Sequence, residues 1–190
     1  MNISAWLACK RCPLWRTRKR VVLGRGTVPA ALLFIGEAPG KNEDLLGLPF
    51  IGQSGKILDK AREAAAKLAG LAALPAFFIT NACACRPCDS AEGDNRPPTG
   101  DELWACFQRL QEEAKAAAPE AVIFLGKTAE KATRALFPAG VALQHPAYIL
   151  RTGGVGSPAW VRFIRELSVV FGGLKNVASR AGKVRKWSGV

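Results

Sequence analysis

Histidine is almost missing from this chain: His145 is the only one in 190 residues. That scarcity excludes metal sites built on two imidazoles and any catalytic scheme that needs two. Long apolar runs are missing as well. None approaches the ~18 residues of a membrane span, and the apolar stretch within the first twelve residues is too short for a secretory signal. A cytoplasmic protein with no membrane association is therefore expected. Acid is in short supply, with 15 Asp+Glu against 27 Lys+Arg and a formal net charge of +12. This excess predicts attraction to polyanions, nucleic acid first and an anionic membrane surface second. Two phosphate loops also fail on a missing glycine. Gly126-Lys127-Thr128 ends like a Walker A loop but has Ala121 where that motif needs Gly, and Gly24-Arg25-Gly26 meets Pro29 where a dinucleotide fingerprint needs its third Gly.

What is present fits one globular domain. The length suits a single core, and 49% hydrophobic residues with 19 Gly and 12 Pro argue against a disordered or fibrous chain. The apolar run 30–35, bounded by Pro29 and Gly36, predicts a buried strand. Further strands are expected at 77–81, 121–125 and 141–143. Helices are expected at 56–68, at 99–118 behind a Thr99/Glu102 capping box, at 128–136 and at 157–170. Residues 82–98 read as a long loop. The alternation predicts an α/β fold, a three-layer αβα sandwich with a four-stranded, mostly parallel sheet over residues 1–172. Residues 173–190, with five cations and no acid, are expected to be a flexible basic tail. Ligands of such sheets bind beyond the carboxyl ends of the strands. Glu37, Asn81 and His145 fall there.

Six cysteines in a reducing compartment read as metal ligands rather than disulfides. Cys9 and Cys12 form a CxxC pair, able to present two thiolates to one centre from a single turn. Cys83, Cys85, Cys88 and Cys106 are the others. Pairing Cys9/Cys12 with Cys85/Cys88 as a zinc ribbon fails, because 72 residues separate the pairs against the usual ~15–20. Cys83 and Cys88 also suit small buried hydrophobes. The residues alone do not separate zinc from iron–sulfur.

The ordered motifs Cys9-Lys10-Arg11-Cys12-Pro13-Leu14, Gly36-Glu37-Ala38-Pro39-Gly40 with Glu43-Asp44, and Gly47-Leu48-Pro49-Phe50-Ile51-Gly52 resemble those of the family 4 uracil-DNA glycosylases. So do Thr80-Asn81, Cys85-Arg86-Pro87, Asn95-Arg96, Pro98-Thr99, Cys106, Leu125-Gly126 and His145-Pro146-Ala147-Tyr148. The resemblance covers residues 6 to 171. It implies a four-stranded parallel sheet flanked by helices and a structural 4Fe-4S cluster on Cys9, Cys12, Cys85 and Cys106. Cys83 and Cys88 have no counterpart in that pattern, and the stretch from Cys85 to Cys106 is longer than usual. Either of them is thus an alternative third ligand.

The activity so implied is hydrolysis of the N-glycosidic bond of deoxyuridine in DNA, single- or double-stranded, releasing uracil and leaving an abasic site. The base must leave the stack first. The transition state pairs an oxocarbenium-like sugar with a departing uracil anion, so the site must stabilise that anion and place a water. By resemblance His145 donates to uracil O2, Asn81 reads the N3–H and O4 edge, Phe50 stacks on the base, and Glu37, Ala38 and Pro39 line the pocket. Taken alone, His145 also suits a structural role beside Pro146, Asn81 a turn, and Phe50 core packing. The family 1 motif has Asp where this chain has Ala38. Glu43 is the candidate for orienting the water, with Asn95 beside it and Glu37 as runner-up; Glu43 equally suits a solvated position.

Lys10, Arg11, Arg16, Arg18, Lys19, Arg20 and Arg25 place seven cations in sixteen residues without an acid, and Lys175, Arg180, Lys183, Arg185 and Lys186 add more. Both groups can meet phosphates, with steep weakening by salt. Tyr148, Leu150 and Arg151 are candidates, again by resemblance, for a wedge behind the flipped nucleotide. A monomer is expected. The branch that traps uracil-DNA covalently needs a His in an extra basic insert, and neither is here. The competing reading of another class is a noncatalytic Fe–S module that binds DNA or a replication partner. The set Phe50, Asn81 and His145 argues against it.

Overall fold

The computed structural model describes residues 4–174 and the backbone of 185–187. The centre of the molecule is β2 (Leu32–Gly36), every residue of which is buried. A strand buried on both faces needs apolar side chains at consecutive positions, and the run Leu32, Leu33, Phe34, Ile35 supplies them. It pairs in parallel with β3 (Phe77–Asn81) on one side and β4 (Ala121–Leu125) on the other, and β5 (Val141–Leu143) extends the sheet in parallel beyond β4. These are the four parallel strands the sequence predicts.

The sheet is larger than predicted. β1 (Arg25–Val28) lies antiparallel along β3, and β6 (Arg185–Trp187) lies antiparallel along β1, giving six strands in the order β5-β4-β2-β3-β1-β6. The fold class is α/β as expected, and the strand number is corrected from four to six. β1 escapes a pattern reading because it is four half-buried residues, Arg25-Gly26-Thr27-Val28, with neither an apolar run nor strict alternation. The expected flexible tail at 173–190 falls mostly outside the described residues. Of its described residues, 173–174 follow α7 directly and 185–187 form the edge strand β6.

Helices cover both faces because neighbouring residues of β2 point to opposite sides. Leu32 and Phe34 pack with Ile57, Leu58, Ala61 and Ala65 of α3 (Gln53–Leu68) and with Phe163, Leu167 and Phe171 of α7 (Pro158–Gly172). Leu33 and Ile35 pack with Leu110, Ala114 and Ala117 of α4 (Gly100–Ala117) and Ala129 of α5 (Lys127–Thr133). The capping box opening α4 forms as predicted, with Thr99 Oγ1 accepting from the Glu102 N–H while the Glu102 carboxylate accepts from the Thr99 N–H. Three short α-helices, Ser4–Leu7, Lys41–Leu46 and Pro146–Arg151, and the 3-10 helix Pro13–Arg16 lie outside the sequence reading. No helix among the described residues is long and apolar enough to cross a membrane.

Candidate active site

A cavity of about 230 Å³ opens at the carboxyl ends of the parallel strands. It is smaller than the ~300–1,000 Å³ typical of drug-sized ligands, a size suited to one single-ring base. Ala38 and Pro39 follow β2, Asn81 ends β3, and His145 follows β5. Glu43, Phe50 and Asn95 complete the predicted set on its wall, joined by Gly40 and Ser54, which the sequence reading passed over. Glu37 is the exception: its backbone carbonyl accepts from the Cys83 N–H, and it is not part of the pocket wall.

His145 is the N-cap of the helix Pro146–Arg151, and its Nδ1 accepts from the Ala147 backbone N–H at 3.1 Å. A backbone amide can only donate, so Nδ1 carries the lone pair and the ring proton sits on Nε2. Burial, with Arg151 adding repulsion, holds the His145 pKa below its ordinary value of 6.5. The ring is therefore a neutral Nε2–H donor at pH 7. Gly126 sits beneath it in the left-handed region (φ +93°), and a methyl group there would press on His145 Cβ at 3.2 Å.

The Phe50 ring lies 6.1 Å from the His145 ring, tilted 34° to it. Phe50 itself adopts φ +54°, which for a residue with a side chain costs about 1–3 kcal/mol. Arg25 holds the turn, with Nε donating to the Pro49 carbonyl at 2.8 Å and Nη2 to the Phe50 carbonyl at 3.2 Å. Gly36 lets the ring approach Asn81, because a methyl group at Gly36 would overlap both the Phe50 ring and Asn81 Oδ1. Asn81 is buried, and its backbone pairs in register with Gly36.

Glu43 and Asn95 are oriented by their neighbours. One Glu43 oxygen accepts from the Gly52 N–H at 2.9 Å. Asn95 Oδ1 accepts from Arg86 Nε at 2.6 Å, which turns the amide nitrogen toward Gly40. The buried Arg86 also donates to the carbonyls of Ala91 and Gly93 and so organises the long loop from within. Next to Glu43, the buried carboxylate of Asp44 accepts from the backbone N–H groups of Lys19 and Arg20. It thereby fastens the basic N-terminal segment to Lys41–Leu46.

A second cavity is lined by Trp6, Cys9, Cys12, Cys85, Cys106 and Arg109, among others. All four predicted ligands are on it. Cys83 and Cys88 are not: Cys83 Sγ lies 3.4 Å from the Cys85 carbonyl oxygen and the Cys88 thiol faces the Arg86 carbonyl at 3.7 Å. Sulfur receives donors here. Arg18 Nη1 donates to Cys85 Sγ at 3.3 Å, and the Ala84 N–H to Cys106 Sγ at 3.5 Å. Burial pushes the Cys85 thiol up to about 12 against the pull of Arg18. Cys106 is held low by the hydrogen bond from Cys83, with Arg109 and the Ala84 N–H adding to the effect. Among the described residues no three His, Cys, Asp or Glu side chains are gathered closely enough to chelate a single metal ion. The four thiols around one cavity, supplied with N–H donors, are a donor set that fits an iron–sulfur cluster.

Arg109 is a residue that sequence reading missed. Its signal was legible: Arg109 and Glu113 stand four apart on the same helical face as Cys106 and Leu110, so a charged pair interrupts an apolar stripe.

A family model described as the uracil DNA glycosylase superfamily matches residues 23–167. The chain is 40% identical over 119 residues to a type-4 uracil-DNA glycosylase of Saccharolobus solfataricus, covering 63% of this chain and 51% of that protein. It is 38% identical over 125 residues to one of Sulfurisphaera tokodaii, covering 66% and 53%. Across these two matches the chain spans about half the length of the relatives. To a type-4 uracil-DNA glycosylase of Pyrobaculum aerophilum it is 31% identical over 188 residues, covering 87% of this chain and 89% of that protein.

Proposed function

Since the chain belongs to the uracil DNA glycosylase superfamily, we propose that it hydrolyses the N-glycosidic bond of deoxyuridine in DNA, releasing uracil and leaving an abasic site. The observation that carries this reading is the convergence of Phe50, Asn81, Glu43, Asn95 and His145 on one base-sized pocket. The flipped uracil stacks on Phe50, a contact worth ~1–3 kcal/mol. The Asn81 amide offers a carbonyl to N3–H and an NH₂ to O4, the reverse of what cytosine needs.

As the C1′–N1 bond lengthens, negative charge grows on uracil O2. The Nε2–H of neutral His145 meets it, and that bond strengthens toward the transition state, so it lowers the barrier rather than merely tightening binding. The Glu43 oxygen not engaged by Gly52 orients the water that attacks C1′, and the Asn95 amide flanks it. Glu37 has no part in this scheme, since it is off the pocket wall. An oxocarbenium-like centre needs chiefly a placed water, so a modest contribution from Glu43 suffices.

Cys9, Cys12, Cys85 and Cys106 would hold a 4Fe-4S cluster that ties the N-terminal segment, the loop after β3 and α4 together, without taking part in bond cleavage. The cations Lys10, Arg11, Arg16, Lys19 and Arg20 of the N-terminal segment meet DNA phosphates, while Arg18 is turned inward onto Cys85 Sγ and the Cys9 carbonyl. Tyr148 and Leu150, exposed on the helix capped by His145, fill the vacated stack in this reading, with Arg151 next to them. The partner is uracil-containing DNA, and the working unit a cytoplasmic monomer.

Single-turnover cleavage of a uracil-containing oligonucleotide, read after alkali, tests the proposal. Wild type is expected to release uracil and His145→Ala to be at least about a hundredfold slower, equivalent to ~2.7 kcal/mol of barrier. A DNA-binding wild type that releases no uracil would point instead to the noncatalytic module.

A further inference from the structure

Arg109 touches both sites. Its side chain is 1% exposed, and the guanidinium has three directions to satisfy. Nη1 donates to Thr80 Oγ1 at 2.9 Å and to the Glu113 carboxylate at 2.7 Å. Nη2 donates to the backbone carbonyls of Asn81 at 2.7 Å and Ala82 at 2.8 Å. Nε is buried with no hydrogen-bond partner, and Arg109 lies on the wall of the cavity that the four cysteines line.

A buried ion pair with Glu113 accounts for the charge, since Glu113 is itself held by the Thr80 hydroxyl at 2.6 Å and the Gly24 N–H at 2.8 Å. It does not account for the third donor. A buried N–H left unpaired costs about 1–3 kcal/mol, and a cavity wall rich in thiols places an acceptor of the right kind beside it. A thiolate of a loaded cluster accepts such hydrogen bonds, and they are one of the factors that set a cluster's potential. The same guanidinium grips the carbonyl of the residue whose side chain faces the base pocket.

We propose that Arg109 is a positioning residue that couples the cysteine centre to the base-reading edge: Nη2 holds the Asn81 and Ala82 carbonyls while the Nε–H serves Cys106 of the loaded cluster. The inference rests on the iron–sulfur reading given above. Its consequence is reciprocal, because a cluster that steadies Arg109 steadies Asn81, and uracil held by Asn81 favours the same arrangement.

The test uses holoprotein purified without air, as wild type, as Arg109→Lys, which keeps a charge opposite Glu113, and as the charge-balanced double variant Arg109→Met with Glu113→Leu, which leaves no lone buried ion. Two quantities are read: the midpoint potential of the cluster, and the affinity for free uracil before and after iron is removed with a chelator. Both variants are expected to shift the potential to more negative values, because both lose the Nε–H donor to the sulfur, and such a hydrogen bond favours the reduced form. Uracil should bind about tenfold more weakly, within the usual range of intersite coupling. Stripping iron should weaken uracil binding to wild type by a similar factor and change it less than about twofold in the variants, the non-additivity expected of a shared element. An unchanged potential, or losses that simply add, overturns the coupling. So does failure of both variants to accumulate as folded protein, which would make Arg109 a structural residue only. Wild type lacking both iron and absorption near 400 nm overturns the cluster reading itself, an outcome distinct from the others.

Discussion

The base-sized pocket and the cysteine cavity share the chain segment 81–85, with Asn81 on one and Cys85 on the other, yet they are built by different means. Three polar groups of the pocket are each anchored by one atom and present another. His145 is fixed through Nδ1 and presents Nε2, Glu43 is fixed at Gly52 through one oxygen, and Asn95 is fixed through Oδ1 by Arg86. All three anchors are protein atoms. In the cysteine cavity the thiols of Cys85 and Cys106 are buried, faced by Arg18 and Arg109, and left beside an orphan donor. On the iron–sulfur reading proposed above, such a set would be completed by the cluster, and the free energy of loading would become free energy of folding. On the proposed reading the order of the pocket serves chemistry and that of the cavity holds the chain.

The difference can be broken from the cavity side first. Cys106→Ser is expected to abolish the absorption near 400 nm and to cost several kcal/mol of stability. At ~2–4 °C per kcal/mol this lowers Tm by about 10 °C, read by far-UV circular dichroism, whereas His145→Ala should leave Tm within about 2 °C of wild type. Equal melting of Cys106→Ser and wild type would show that the cavity does not hold the fold together. On the pocket side, Glu43→Ala should slow single-turnover uracil release about tenfold, or ~1.4 kcal/mol, with iron content unchanged. A near-normal rate would remove Glu43 from the water-placing role.

The smallest effect is that of pH. The folded His145 pKa lies below 6.5, so the neutral ring persists from pH 8 down through 6.5 and the cleavage rate should be flat over that span. Below it the rate should fall, because protonation puts a hydrogen on Nδ1 that confronts the Ala147 N–H. Since the folded pKa is depressed, the associated stability is present above 6.5 and lost as pH falls through the folded value. An acid limb centred above 6.5 would reverse the assignment of His145 as a neutral donor.

Much of the fold was legible because its inner strands bury both faces and so must be apolar without interruption. The strands 77–81, 121–125 and 141–143 fall where the pattern puts them. β1 was not legible, for a short, half-buried strand holding Arg25 and Gly26 carries no periodicity, and its pairing with β3 depends on a partner about fifty residues away. The short helix Lys41–Leu46 was hidden for another reason. Its sequence, Lys41-Asn42-Glu43-Asp44-Leu45-Leu46, lacks an apolar face, and Gly47 at φ +76° closes it within two turns.

The pocket residues were found by motif, and motif conveys residue type without contact. Hence Glu37 was grouped with Ala38 and Pro39, though only the latter two line the pocket wall. By itself the sequence determined the parallel α/β core and the shortlist of polar residues at strand ends, because both follow from local periodicity and residue chemistry. Only the tertiary structure decided which carboxylate faces the pocket, that His145 carries its proton on Nε2, and that Arg109 spans two sites. Those are properties of distances between residues far apart in the chain, which local pattern does not encode.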